Sequence, residues 1–344
     1  MIKSYISYWT AANKRKDCAD LLVRSDGSYF VALSQYGPVD TDSSSGQTMY
    51  TVSTNGGVTW SAPAVFQVTL SGAINTVSPM FFTYPDGSGI GCVFYSKKTA
   101  TTSIEHYVKK STDGGVTWGA ATLILSGTAY FGQLNATARV YSGRIMYPVW
   151  WANDYAAYQA GTEDLKVFVY YSDDNGATWS RSADIYLHNI NLTEASLVQM
   201  GNGQLIMTIR CNQGVQYFAY SSDNGSTWSG AGASTLISPD APALLFWGNN
   251  ALHAIHNYQS AVLFRNRGYR TPLVISRSTD YGATWNKLLD IESSSTHEFS
   301  YPSVVIDGSN NLLLTYYDRV LIPDNNNQTQ SLKFCKIAAS EWII

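Results

Sequence analysis

The segment STDGGVTW, residues 111–118, has the form Ser-x-Asp-x-Gly-x-Thr-Trp, which occurs five times in this chain. The other copies are STNGGVTW (53–60), SDDNGATW (172–179), SSDNGSTW (221–228) and STDYGATW (278–285). The Asp, or the Asn of the first copy, binds nearby backbone N–H groups, the Gly takes a positive φ, and the Trp packs across neighbouring strands. Copies about 50 to 60 residues apart are typical of four-stranded propeller blades. These five segments, named the Trp turns, are therefore interpreted as structural.

A second repeat lies between the Trp turns: a two-residue turn flanked by apolar runs, which is a strong hairpin signal. It occurs six times, at residues 26–27, 86–87, 142–143, 202–203, 248–249 and 307–308. Five of these hairpins are followed by a third strand and a Trp turn, while the sixth is followed by SLKFCKIAA and the end of the sequence. The pattern predicts an all-β, six-bladed β-propeller of four-stranded antiparallel blades. The first nine residues are expected to supply the outer strand of the last blade.

The repeat also decides the expected domain organisation. A length of 344 residues alone suggests about two domains. Propeller blades, however, bury their faces only against neighbouring blades, so the ring cannot be divided into two stable halves. We therefore expect one domain over residues 1–344, closed between the N-terminal and C-terminal strands.

Composition limits the classes of partner. The net charge is −3 and only 14% of residues are charged, so no basic surface for nucleic acid is expected. No apolar run reaches membrane-spanning length, and the first residues lack the apolar region of a signal peptide. The sequence predicts a soluble chain, cytoplasmic or associated with a phage virion. Its four cysteines have no paired spacing and are expected to be free thiols, and no metal or cofactor is expected.

The strand order predicts where a site would lie. If each inner strand starts on the face opposite the turns, then the start of the first strand, the end of the second and the start of the third meet on that face. These positions hold two arginines, a tyrosine and three carboxylates: Glu194, Arg210, Arg270, Tyr301, Asp40 and Asp42. Taken singly, Glu194 fits a solvated loop acid, Arg210 an ion pair at a strand end, and Tyr301 a packing residue. Their joint placement favours one central site.

At this point the chain resembles the sialidase (neuraminidase) superfamily, whose Asp-boxes the Trp turns match. TEASLVQMGNGQLIMTIR (193–210) resembles the segment in which a Glu and then an Arg serve the active site. RTPLVISRSTDYGATW (270–285) resembles the segment with the next arginine of a carboxylate-binding triad. YPSVVIDGSNNLLLTYYD (301–318) resembles the segment with the nucleophilic tyrosine. The resemblance covers nearly the whole chain.

The resemblance implies an exo-acting glycoside hydrolase that releases a terminal acidic sugar with retention of configuration. A neutral Tyr is a workable nucleophile because the substrate's carboxylate would repel an anionic one. Tyr301 would attack after giving its proton to Glu194, while Arg210 and Arg270 hold the substrate's acid group. Asp42, with Asp40 as the near alternative, would be the acid/base.

Two departures from the superfamily's pattern bear on specificity. The first arginine of the triad usually opens the first inner strand, but the matching segment KDCADLLVRSDG (16–27) puts Asp17 or Cys18 there, with Lys16 or Arg15 available only by a shift in register. Loss of a bidentate guanidinium weakens the grip on a carboxylate. The segment HEFSYPS (297–303) adds Glu298 as an extra carboxylate for substrate binding.

Aromatic residues at strand ends on the same face are candidates for stacking on sugar rings, or for packing at the rim: Tyr36, Trp150, Trp151, Tyr258 and Tyr269. Two other classes of function stay open. The missing arginine favours a propeller hydrolase or lyase acting on another glycan. The absence of a signal peptide and a composition like that of phage tail proteins favour a non-catalytic module for glycan binding and host recognition.

Overall fold

The computed structural model describes residues 1–39, 41–259, 270–321 and 329–343, and they form an all-β β-propeller. The described helices are two short ones, α1 (Tyr155–Gln159) and α2 (Ala339–Trp342). Neither is long and apolar enough to cross a membrane.

The strands follow one another in chain order and are short, as expected for propeller blades. The first nine are β1 (Ile2–Ser7), β2 (Arg15–Val23), β3 (Tyr29–Tyr36), β4 (Gly46–Ser53), β5 (Ala64–Gln67), β6 (Asn75–Thr83), β7 (Ile90–Lys97), β8 (Ile104–Ser111) and β9 (Thr122–Leu125). The next nine are β10 (Tyr130–Gly132), β11 (Arg139–Tyr141), β12 (Arg144–Ala152), β13 (Lys166–Ser172), β14 (Ser180–Arg181), β15 (Thr193–Gln199), β16 (Leu205–Arg210), β17 (Val215–Ser221) and β18 (Gly232–Ile237). The last seven are β19 (Leu244–Gly248), β20 (Ala251–Asn257), β21 (Leu273–Ser278), β22 (Asn286–Glu292), β23 (His297–Ile306), β24 (Leu312–Val320) and β25 (Gln330–Ile337).

Within the described residues these strands form five sheets. Strands β15 to β18, strands β19 to β22, and the set β1-β25-β24-β23 form three four-stranded sheets, and β10 to β14 form a five-stranded one. Strands β2 to β9 form a continuous eight-stranded sheet. The sequence predicted six separate blades, but the strands form five sheets. Four of these sheets are single blades, and the fifth is twice as large.

A close approach of two strands causes this larger sheet. Strands β4 and β6 are joined by one parallel pair, Gly46 with Asn75. A Cβ on Gly46 would lie 3.3 Å from the Cβ of Asn75, so the missing side chain lets β6 approach. The hydroxyl of Thr48 also donates to the carbonyl of Thr76 at 2.9 Å.

The N-terminal strand joins the last sheet. Strand β1 pairs antiparallel with β25, with Ile2 opposite Lys336. The apolar cores lie between successive sheets. One such core joins Val167 of β13 to Leu197 of β15 and Leu205 of β16, so each face is buried against its neighbour.

The Trp turns have the predicted local geometry. In the second turn, Asp113 accepts hydrogen bonds from the backbone N–H of Thr117 at 2.9 Å and from the Ser111 hydroxyl at 2.8 Å. Asn55 of the first turn keeps this arrangement and accepts from the N–H of Thr59 at 2.9 Å. The first turn also contacts the neighbouring sheet, since the ring of Trp60 lies 5.4 Å from that of Phe334 in β25.

Strand register puts the Trp turns and the opposite strand ends far apart. Ser53, which opens the first turn, is opposite Tyr29 at the start of β3. At the other end of the same strands, Gly46 is opposite Tyr36, which is opposite Arg15 at the start of β2. The four cysteines are buried free thiols, as predicted.

Candidate active site

A cavity opens at the strand ends opposite the Trp turns. It has three adjoining lobes, and Asp42 and Tyr301 line all of them. The arginine-rich lobe has a volume of about 350 Å³ and the lobe beside Glu194 and Trp150 about 220 Å³. None of the Trp-turn tryptophans is among the described residues that line these lobes. The first-strand starts, second-strand ends and third-strand starts therefore meet at one place.

Irregular backbone in the inner strands turns side chains toward this cavity. Strand β23 has an irregular register between Ser300 and Ser303, and Tyr301 has a φ of 54°. Cys18 and Ser78 have φ values of 43° and 59° at matching irregularities of β2 and β6. A positive φ is uncommon for a residue with a side chain and costs about 1–3 kcal/mol. The strain at Tyr301 is thus part of a feature that recurs around the ring.

Tyr301 and Glu194 form a hydrogen-bonded pair. The Tyr301 hydroxyl donates to Oε1 of Glu194 at 2.5 Å, although the two residues are 107 positions apart in the chain. Arg210 donates from Nη1 to Oε2 of the same carboxylate and approaches the Tyr301 hydroxyl oxygen at 3.5 Å. Burial and the neighbouring Glu194 charge raise the pKa of Tyr301 well above its usual value. The phenol is therefore neutral, with its proton directed at a carboxylate.

Arg210 is held by carboxylates on two sides. Its Nε donates to Oδ1 of Asp240 at 2.8 Å, and its Nη1 pairs with Glu194. Burial disfavours the charged guanidinium, but Asp240 and Glu194 outweigh this and hold the pKa of Arg210 well above its usual value. The side chain stays cationic and fixed beside the Tyr301–Glu194 pair.

Arg270 has a different environment. It donates from Nη1 to the Tyr317 hydroxyl at 3.0 Å and from Nη2 to the Asp240 carbonyl at 3.1 Å. Its guanidinium carbon lies 5.6 Å from the centre of the Tyr301 ring. Among the described residues no carboxylate is bonded to Arg270, so its charge is open to an anion that enters the cavity.

Asp42 projects into the cavity from an anchored backbone. Its carbonyl oxygen accepts from Nδ2 of Asn75 at 3.0 Å and from Nζ of Lys97 at 3.1 Å. Its carboxylate accepts from Nη1 of Arg15 at 2.5 Å, and its side chain is 64% exposed. The Arg15 charge lowers the pKa of Asp42 to about 2. Asp40, the alternative acid, lies outside the described residues.

Arg15 is the arginine that lies nearest to the place of the missing first triad arginine. It lines the cavity, donates from Nε to Asp17 at 2.5 Å, and lies 4.5 Å above the ring centre of Tyr36. Lys16 donates instead to Oε1 of Gln35 and is not among the lining residues. Of the two register-shifted alternatives, the structure thus brings Arg15 to the cavity, but with Asp17 next to it.

Three residues that the sequence predicted to contact the substrate have few atoms open to the cavity or lie outside its lining. Glu298 is only 2% exposed, pairs with Arg319 at 3.2 Å, and is absent from the described lining residues, so it is not a cavity carboxylate. Tyr36 lines one lobe of the cavity, but it is 1% exposed and the Arg15 guanidinium lies over its ring, so little of the ring is open to a sugar. Trp151 donates from its indole to Asp184 at 2.9 Å.

The remaining aromatic candidates differ in position. Trp150 is half-buried, lines two lobes of the cavity and packs 5.4 Å from the ring of Tyr130. Tyr258 is 41% exposed but is absent from the described lining residues. Tyr269 lies outside the described residues.

The sequence reasoning missed several cavity residues. Tyr317 and Arg319 lie at the end of β24, the second strand of the last hairpin. The strand-end rule that selects Arg210 would also select them. Asp240 lies between two sheets, where the segment SPDAP carries no signal beyond its prolines. Over the described part of the chain, no group of three His, Cys, Asp or Glu side chains is arranged to hold a metal ion.

Comparison with known proteins defines the class. A model of the BNR repeat-like domain matches residues 77–313. The match covers more than half of the chain, which therefore belongs to the BNR repeat-like family. A search of curated protein sequences gives no significant match.

Solved structures of sialidases and an arabinanase share the fold. The leech intramolecular trans-sialidase with 2,7-anhydro-Neu5Ac has a TM-score of 0.76 and 14% identity, over 100% of this chain and 71% of that chain. The Ruminococcus gnavus intramolecular trans-sialidase with oseltamivir carboxylate has 0.74 and 12%, over 99% and 98%. The Penicillium chrysogenum α-L-arabinanase with arabinobiose has 0.69 and 13%, over 99% of both chains. At such identities the similarity establishes the fold.

Proposed function

We propose that this protein is a retaining, exo-acting glycoside hydrolase that releases a terminal acidic sugar, such as a sialic acid or a related sugar. The observation that carries this proposal is the 2.5 Å contact between the Tyr301 hydroxyl and Glu194 beside an arginine-lined cavity. A phenol is a poor nucleophile until a base takes its proton, and here the base is already bonded to it. An acidic substrate also explains why a neutral nucleophile is used.

The proposed reaction has two displacements. In the first, Glu194 accepts the phenol proton while the Tyr301 oxygen attacks the anomeric carbon, and Asp42 gives a proton to the departing glycosidic oxygen. In the second, Asp42 takes a proton from water, the water oxygen attacks the anomeric carbon, and the bond to Tyr301 breaks as Glu194 returns the proton. Two inversions at the same carbon retain its configuration.

The cavity cations define the proposed substrate class. Arg15, Arg210, Arg270 and Arg319 line one lobe together with Tyr301. Arg270, whose described hydrogen bonds go to a phenol and a carbonyl, is the proposed anchor for the substrate's carboxylate. The trans-sialidases with the same fold have structures with sialic acid derivatives or analogues, which supports this class of sugar.

We also propose that the eight-stranded sheet consists of two blades, β2 to β5 and β6 to β9, which makes a six-bladed ring. Each half has the antiparallel order of a single blade, and one residue pair links the halves. The Trp turns are then the Asp-boxes of the superfamily.

One observation favours a second candidate, a glycan-binding module without turnover. Asp42 is paired with Arg15, and an ionised carboxylate cannot act as a general acid. Asp17 next to Arg15 also offsets part of the positive charge that an acidic sugar needs. A hydrolase for a different glycan would fit the same observation.

A screen of chromogenic glycosides tests the proposal. Aryl sialosides, uronides and arabinosides are compared on wild type, Tyr301→Phe and the control Tyr258→Phe, whose side chain is exposed and absent from the described cavity lining. We expect turnover of an acidic glycoside that Tyr301→Phe abolishes and Tyr258→Phe retains. Glycan binding without turnover would select the binding module, and turnover of a neutral glycoside alone would select the other hydrolase.

A further inference from the structure

The pairing of Arg15 with Asp42 conflicts with the chemistry that Asp42 has to perform. A general acid needs a proton at the working pH, but Asp42 lies 2.5 Å from a guanidinium nitrogen. The Arg15 charge has the largest effect on the pKa of Asp42 and lowers it; burial acts in the opposite direction, and Lys97 and Arg319 add to the effect of Arg15. The anionic groups that line the same lobes are Asp17, Glu194 and Asp240. While it is paired with Arg15, Asp42 is therefore a carboxylate without a proton to give.

The contact between Arg15 and Asp42 can be replaced without loss of the other partner of Arg15. Arg15 has a second carboxylate partner, Asp17, which is almost fully buried and is bound through the other side of the guanidinium, at Nε. Asp42 is largely exposed, and its described contact with Arg15 is through Nη1. An incoming anion can thus replace Asp42 at Nη1 while Asp17 keeps the guanidinium in place.

We propose that Arg15 is a positioning residue that binds Asp42 until a substrate enters and then exchanges Asp42 for the substrate's acid group, so that the substrate's own anion prepares the general acid. This inference rests on the proposed function. Arg15 lines the same lobe as Arg210, Arg270 and Arg319, where an acidic sugar would be attracted by all four cations.

Two electrostatic changes then act on Asp42 in the same direction. It loses the nearest positive charge, and it gains a negative charge close by, and each change favours the protonated carboxyl group. The exposed side chain takes this proton from solvent. The proton later moves to the glycosidic oxygen as the bond to the sugar breaks, which leaves Asp42 ionised and ready to accept a proton from water.

In this arrangement the substrate's acid group is needed for proton transfer from Asp42 as well as for binding. A neutral sugar of the same size would enter the cavity without displacing Asp42 from Arg15. It would therefore meet an ionised carboxylate at the position of the general acid. Discrimination against neutral glycosides would then appear in kcat in addition to KM.

The first experiment measures the pKa of the Asp42 carboxyl group by ¹³C NMR, assigned with Asp42→Asn. We expect a value near about 2 in wild type and a rise by more than one unit, toward the ordinary value of about 3.9, in Arg15→Met. The matched control is Asp17→Asn, which removes the other partner of Arg15 and should leave the pKa of Asp42 low. The double variant Arg15→Met/Asp17→Asn removes the buried unpaired charge if Arg15→Met does not fold.

The second experiment repeats this titration with saturating free N-acetylneuraminic acid, with glucuronic acid and with galactose. We expect the acidic sugars to raise the pKa of Asp42 by more than one unit and galactose to leave it unchanged. An unchanged pKa with a bound acidic sugar would overturn the inference alone if acidic glycosides are still hydrolysed. Failure of both acidic sugars to bind, together with no turnover in the glycoside screen, would overturn the inference and the proposed function together.

Discussion

The Trp turns and the cavity use the same kinds of side chain over very different distances in the chain. Asp113 bonds to the backbone of Thr117, four residues away. Glu194 bonds to Arg210 and Tyr301, which are 16 and 107 residues away. The turns therefore form from local sequence, while the cavity exists only when the ring of sheets has closed.

This contrast separates stability from chemistry. Each turn hydrogen-bonds its own Asp or Asn side chain, and each Trp packs on apolar side chains of neighbouring strands. Changes in the turns should therefore act on unfolding. The cavity keeps a strained Tyr301 and an Arg270 without a described carboxylate partner, so changes there should act on turnover and binding. The following predictions test this separation.

The largest effect is expected from Glu194→Gln. The amide cannot take the Tyr301 proton, and loss of a general base costs about 10²- to 10⁴-fold in rate. We expect kcat to fall by this factor for aryl leaving groups of high and low pKa alike, because the base acts on the nucleophile. The melting temperature should fall only modestly, because Arg210 loses one of its two carboxylate partners and keeps Asp240. A large fall in melting temperature without loss of kcat would break the comparison.

A smaller effect, on stability alone, is expected from Trp118→Ala. Its ring packs 5.2 Å from Phe66 and 5.7 Å from Phe81. Because the Trp is only partly buried, we expect a loss of about 2 to 4 kcal/mol in the free energy of unfolding, near the lower end for large aromatic residues. Urea unfolding measures this loss. The exposed Trp9 is the control, and Trp9→Ala should change stability by less than about 0.5 kcal/mol.

Arg270→Ala should weaken binding of acidic sugars by about 1.5 to 3 kcal/mol, the range for a hydrogen bond to a charged group. This corresponds to about a 10- to 150-fold rise in Kd. Calorimetry on the Tyr301→Phe background measures binding without turnover. Binding of a neutral sugar is the internal control and should stay the same. Equal losses for both sugars would mean that Arg270 shapes the cavity rather than binding the anion.

The smallest effect concerns acid stability. Hydrogen bonds from Thr178 and Ser172 lower the pKa of Asp174 to about 2, against about 3.9 in an unfolded chain. The folded state therefore binds a proton at Asp174 less tightly than the unfolded chain does. The resulting stabilisation is present above about pH 4 and is lost as the pH falls toward about 2. Asp174→Asn, which copies the natural Asn55, should keep the turn and flatten the fall in melting temperature over this window. An unchanged slope would contradict this origin of the pKa shift.

The sequence predicted the parts of the molecule that depend on local chemistry. The Trp turns and hairpins follow from Asp, Gly and Trp at fixed spacings, and the strand-end rule brings Glu194, Arg210 and Tyr301 together. The eight-stranded sheet was missed because it depends on the contact of Gly46 with Asn75 between two hairpins. Glu298 was misassigned for a related reason.

Irregular inner strands explain that second error. In β23, Glu298 is in register with Arg319 before the irregularity, whereas Tyr301 lies within it. Simple alternation of side chains therefore does not say which residue of the segment faces the cavity. Arg15 is in regular register with Tyr36, before the irregularity of β2, and it contacts Asp42 in the segment between β3 and β4. No pattern within β2 encodes this pairing.

The most direct test of the central claim is chemical trapping of the nucleophile. Wild type and Tyr301→Phe are incubated with an acidic sugar fluoride that carries a second ring fluorine to slow hydrolysis, then digested and mapped by mass spectrometry. The account predicts a covalent sugar on Tyr301 in wild type and none in Tyr301→Phe. Hydrolysis of the sugar fluoride without an adduct on Tyr301, or an adduct on Glu194 or Asp42, would contradict it.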